Sequence, residues 1–213
     1  MPFPIAGKKI LQNIDFATLA PPITDNWFCV LPLERLDSGM IVEKDFSVGP
    51  LREKAQITNA PFYPNTNATT LSQKYAEFMV LEDKNRKLNN MGRTSLITKD
   101  ESLQKYCYRQ RTKMGFPDYI TIRFLNTVDG GSTFALYSRS KIGNGDLGVN
   151  KKRITRWLEQ FNALMTSGGN VEPTINVEPL THTESTISSE TIQAEQNTVG
   201  AEQTTIEKVE VEV

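Results

Sequence analysis

Histidine is nearly missing from this sequence: His182 is the sole one among 213 residues. It stands in a run of Thr, Ser, Gln and Glu beyond the last aromatic residue. A histidine base, a histidine metal ligand or a Ser-His-Asp arrangement is therefore not expected in the folded part. Cysteine is almost as scarce. Cys29 and Cys107 are the only two, too few without a histidine for a four-ligand zinc site. They read as free thiols, buried or half-buried, in a reducing compartment, and a disulfide between them is not indicated. No run approaches the about 18 apolar residues of a membrane span. Met1-Pro-Phe-Pro-Ile-Ala-Gly-Lys-Lys has no apolar core of a secretory signal. The expected location is the cytoplasm, or an organelle stroma if a transit peptide is removed.

Aromatic residues stop abruptly, with no Phe, Trp or Tyr from Ser167 onward. Charge changes sign at the same place. Residues 168–213 hold nine glutamates against Lys208 and carry −8, so 1–167 carry +7 within a chain of net charge −1. A segment without large apolar side chains cannot offset the entropy of ordering, so an acidic disordered tail is expected over 168–213. It either screens a basic face from other anions or only keeps the chain soluble. Its last residues, Thr205 to Val213, alternate as a strand or a linear partner motif does. The expected divisions are an N-terminal extension 1–25, a folded domain 26–167 and the tail.

Prolines 21, 22, 32, 50, 61 and 64 break up the first third of the chain, leaving short extended pieces at Trp27–Leu31 and Gly39–Val42. From Asn67, Leu71, Tyr75, Phe78 and Met79 fall on one helical face. Strand-like runs follow at Thr94–Thr98, Leu103–Arg111, Tyr119–Asn126 and Ser132–Ser140, with turns at Gly115–Asp118 and Asp129-Gly130-Gly131. Ile154, Leu158, Phe161 and Leu164 or Met165 line a second helix from Val149, which Ser167-Gly-Gly ends. Short connections make neighbouring strands antiparallel. The fold class is α+β: an antiparallel β-meander packed against two helices.

Gly143, Gly145 and Gly148 spell G-x-G-x-x-G between the last strand and the last helix. In a parallel βαβ unit that spacing binds a dinucleotide. Here the strand comes from an antiparallel hairpin and no second strand follows, so the glycines read as loop-shaping residues of positive φ. No cofactor is expected.

The stretch Arg139-Ser-Lys-Ile-Gly-Asn-Gly-Asp-Leu-Gly-Val-Asn-Lys-Lys-Arg resembles the signature of the DUF1499 family of domains of unknown function. That signature runs Arg-Ser-x-Ser-Arg-x-Gly, then Asp-x-Gly-x-Asn, then a basic pair opening the last helix. Phe116-Pro-Asp118-Tyr-Ile-Thr-Ile-Arg-Phe is similar to the family's Phe-x-Asp-Asp block. Lys141-Ile142 and Pro117 depart from the pattern, and Asn26-Trp-Phe-Cys29-Val30 only echoes the family's Asn-Cys-Val-Ser-Ser. The resemblance spans about residues 26–165 and implies an α+β domain with no assigned reaction.

Lys151, Lys152 and Arg153 open a helix whose dipole disfavours cations there. Free main-chain N–H groups and cations together suit an anion of sulfate or phosphate size. In that arrangement Arg139, Asn150, Lys152 and Arg153 contact the anion and Asp146 orients Arg139. The alternative is that Arg139 pairs with Asp146 or Asp118 and the lysines point into water. The expected activity is that of a soluble, non-catalytic accessory or binding protein for a small anion or a protein partner. Two other readings stay open. One is an enzyme acting on a phosphorylated or carboxylated small molecule, with a closed apolar pocket around Arg139. The other is a single-stranded nucleic-acid binder using the bases of 84–113 with Tyr106 and Tyr108 between them.

Overall fold

The computed structural model describes residues 14–53, 56–143, 145 and 147–167. The acidic segment 168–213, the first thirteen residues and Asp146 lie outside the described residues.

Six strands form one sheet: β1 (Trp27–Leu31), β2 (Ile57–Asn59), β3 (Thr94–Asp100), β4 (Lys105–Arg111), β5 (Pro117–Asn126) and β6 (Ser132–Ser140). The spatial order is β2-β1-β6-β5-β4-β3. β3 to β6 form the antiparallel meander that the short connections predict, and β1 adds antiparallel to β6. β2 pairs parallel to β1 and was not legible as a strand. The chain between them carries a short helix α1 (Leu33–Asp37) and a 3₁₀ turn, Gly49–Glu53. Gly39–Val42 forms no strand. Its only ladder contact is an isolated bridge from Ile41 to Thr127.

Two long helices, α2 (Ala68–Leu88) and α3 (Val149–Thr166), cover one face. Asn67 caps α2 by accepting the Thr70 N–H at 2.8 Å. Leu71, Tyr75, Phe78 and Met79 pack inward with Ile154, Trp157 and Phe161 of α3 against Ile120, Ile122, Phe124 and Phe134. Tyr75 is the hub, its ring centroid 5.1 Å from Phe161 and 5.5 Å from Phe124. Tyr106 and Tyr108 belong to the same core and are buried under α2. They are not interleaved with the bases on an exposed face, which removes the stacking surface that a nucleic-acid reading needs.

The other face carries a second core, against which Leu33 and Leu36 of α1 also pack. Ile14 and Phe16, with Phe46, Val48 and Leu51, pack over Trp27, Cys29, Leu31, Leu125, Ala135 and Tyr137. Cys29 and Cys107 are both free and buried. Burial pushes the Cys107 thiol up to about 11 and raises Cys29 further.

Candidate functional site

The alternation along β6 decides which signature residues meet. Ser138 and Ser140 turn toward the helices and Arg139 turns to the opposite face. On the helix side, α3 begins after Gly148, whose φ is +75°. Its first turn then drops Asn150 and Arg153 into the protein. Arg153 donates to Asp118 of β5, both being almost fully buried, and its other guanidinium nitrogen reaches Asn150 Oδ1 at 3.2 Å and Ser138 Oγ at 3.4 Å. Ser138 donates to Asn150 Oδ1 at 2.6 Å. Asn150 Nδ2 donates to the Asn26 carbonyl at 2.9 Å and to Ser140 Oγ at 3.1 Å. One buried network thus ties the last helix to β1, β5 and β6. A second ion pair lies nearby: Arg156 donates to the buried Glu82 at 2.5 Å, joining α3 to α2.

Asn150 and Arg153 are therefore occupied inside the fold, and Arg139 does not pair with Asp118. Lys151 and Lys152 are exposed on the first turn of α3. Gly143 has φ +99° and accepts from Asn26 Nδ2 at 2.6 Å. Gly145 has no such φ and open space around it, so only Gly143 and Gly148 need to be glycine on conformational grounds.

Across the sheet, on the face opposite α2 and α3, the register sets Arg109, Tyr119, Arg139 and Trp27 side by side on four adjacent strands. Arg109 and Arg139 flank the buried Tyr119 with their Cα atoms about 10 Å apart, twice the strand spacing. Both are half-buried. Among the described residues neither has a carboxylate within ion-pair distance, whereas Arg123 on the same face reaches Asp45 at 3.7 Å. Among the described residues the Nε atoms of Arg109 and Arg139 are buried without a hydrogen-bond partner, as are those of the ion-paired Arg123 and Arg156. Burial raises the Tyr137 phenol above its ordinary range, and the Arg139 charge beside it opposes that shift. Arg109 gave no separate signal in the sequence; only the strand register brings it level with Arg139.

The family profile described as protein of unknown function (DUF1499) matches residues 37–161, well over half of the chain. The chain belongs to the DUF1499 family. The profile covers the whole meander, α2 and the signature loop of this DUF1499 protein. It begins inside α1, so β1 lies upstream of it although it is hydrogen-bonded into the sheet. A search of curated proteins returned no match. No helix among the described residues is long and apolar enough to cross a membrane. A groove of about 480 Å³ opens between α2 and β3, lined by Met79, Val80, Leu88, Leu96 and Tyr108. Arg139 is not among its walls.

Proposed function

We propose that this DUF1499 protein is a non-catalytic binding protein for an anion, held on the sheet face opposite α2 and α3, between Arg109 and Arg139. The observation that carries this reading is the pair itself. Among the described residues, two half-buried guanidinium groups stand across Tyr119 without a carboxylate partner, each with a buried and unsatisfied Nε. A buried donor without a partner is costly, and a charged one more so. An oxyanion between the two supplies acceptors to both forks at once. Asn150 and Arg153 hold the loop that follows Arg139 rather than touching the ligand.

The arrangement favours binding over chemistry. Asp118 is committed to Arg153. Asp129 sits at the far turn, its carboxyl held below the usual range by the Thr127 hydroxyl and by Arg35. The α2–β3 groove is separate from the arginine pair. The test is thermal unfolding of the full chain in phosphate or sulfate. At a hundredfold excess over Kd an anion stabilises by about 2.7 kcal/mol. That stabilisation weakens in Arg139→Gln and in Arg109→Gln, and it persists in Lys152→Ala.

A further inference from the structure

One end of the sheet gathers four segments: residues 23–26 before β1, the 88–93 loop after α2, the β4–β5 tip at 112–116, and residues 141–143, 145 and 147–148 after β6. Backbone bonds hold them together there. Thr112 N–H donates to Phe116 O at 2.9 Å and Lys141 N–H to Pro117 O at 3.0 Å, and Arg86 reaches Arg111 O at 2.9 Å. These segments expose Ile23, Met91, Met114, Phe116, Ile142 and Leu147. Met114 is 81% exposed and Leu147 95%. Leu147 also has φ +52°, a conformation that leucine rarely adopts and that no packing explains here. Around them stand Arg93, Arg111, Lys113, Lys141, Lys151 and Lys152, against the exposed Asp25, and Arg93 also reaches Asp83 at 3.8 Å. The opposite end of the sheet carries both signs: Glu43, Asp45, Asp100, Glu101 and Asp129 stand there with Arg35, Lys44, Lys99 and Lys105, and Asp129 and Glu101 are ion-paired to Arg35 and Lys99.

We infer that this end of the molecule docks on the surface of an anionic phospholipid bilayer. The cations meet lipid phosphates, and Met114, Phe116, Ile142 and Leu147 enter between the headgroups. The apolar side chains protrude from separate segments and do not line a groove. A fluid bilayer accepts such separate insertions, whereas a folded partner needs a matched face. A nucleic acid satisfies the cations and leaves the apolar side chains in water.

This goes beyond the Arg109–Arg139 site and does not depend on it. The test is co-flotation of the full chain with vesicles of phosphatidylcholine alone, or of phosphatidylcholine mixed equally with phosphatidylglycerol. Binding is expected to the mixed vesicles only. Leu147→Asn and Met114→Ser are both at exposed positions, and asparagine suits the φ of residue 147. Each is expected to weaken partitioning about tenfold. Lys113→Gln and Lys141→Gln are each expected to weaken it about fivefold. Arg139→Gln leaves it unchanged while weakening the phosphate response. Equal recovery with both vesicles, or with neither, overturns the inference. So does binding lost in Arg139→Gln but retained in Leu147→Asn and Met114→Ser, since the lipid would then serve only as a source of phosphate. Binding of an oligonucleotide that competes with the vesicles and is insensitive to Leu147→Asn overturns it in favour of nucleic acid.

Discussion

Arg153, in the first turn of α3, donates to the Asp118 carboxylate at the start of β5, and both side chains are almost fully buried. The pair fixes the last helix to the middle of the sheet through residues 35 positions apart. Arg139, turned by the alternation of β6, lies on the other face.

Removing one member leaves the other buried and unpaired, which costs about 3–5 kcal/mol. Arg153→Met is expected to lower the thermal midpoint by roughly 6–20 °C for a domain of this size. Arg153→Met combined with Asp118→Leu recovers part of the loss, because no uncompensated charge remains. Thermal unfolding of both variants checks this. A single variant that unfolds with the parent removes the pair from the account of the fold.

Tyr75 is expected to separate its ring from its hydroxyl. The ring touches five other aromatic rings, while the hydroxyl is buried without a hydrogen-bond partner. Tyr75→Phe is expected to be neutral or to stabilise by up to about 1 kcal/mol. Tyr75→Ala costs about 3–5 kcal/mol. Urea midpoints distinguish the two. A Tyr75→Phe variant as unstable as Tyr75→Ala shows that the hydroxyl has a partner.

Asp83 gives the fold a pH-dependent element. Burial alone raises its carboxyl, but Lys87 at 2.8 Å, the Thr94 N–H at 2.9 Å and the Arg93 charge together bring it below the ordinary value. A carboxyl lowered in the folded state stabilises above its unfolded pKa of about 4, and that stability is lost as pH falls through the folded value. The difference in unfolding midpoint between the parent and Asp83→Asn is therefore largest near neutral pH and shrinks below about pH 4. A difference that stays constant across that range contradicts it.

Much of the frame was legible in the sequence. Strand-like runs between turn signals gave β3 to β6, of which β4, β5 and β6 each have one face in the aromatic core. The Leu71, Tyr75, Phe78, Met79 spacing gave α2. β2 was hidden because three residues, Ile57, Thr58 and Asn59, carry no periodicity. The site was only partly legible. Arg139, Asn150, Lys152 and Arg153 are close in sequence, but strand alternation turns Arg139 one way and the first turn of α3 carries Asn150 and Arg153 the other. Asp146, assigned to orient Arg139, lies outside the described residues. Arg109 is thirty positions from Arg139 and becomes its neighbour only through the pairing of each with Tyr119.

The central claim is that Arg109 and Arg139 share one anion. Isothermal titration of phosphate into the full chain, the Arg109→Gln and Arg139→Gln variants and the double variant measures it most directly. The account predicts one site per chain, weakened in each single variant. The double variant is predicted to lose less than the sum of the two single losses, because both groups hold the same ion. Unchanged affinity in Arg139→Gln, or two independent and additive losses, contradicts it.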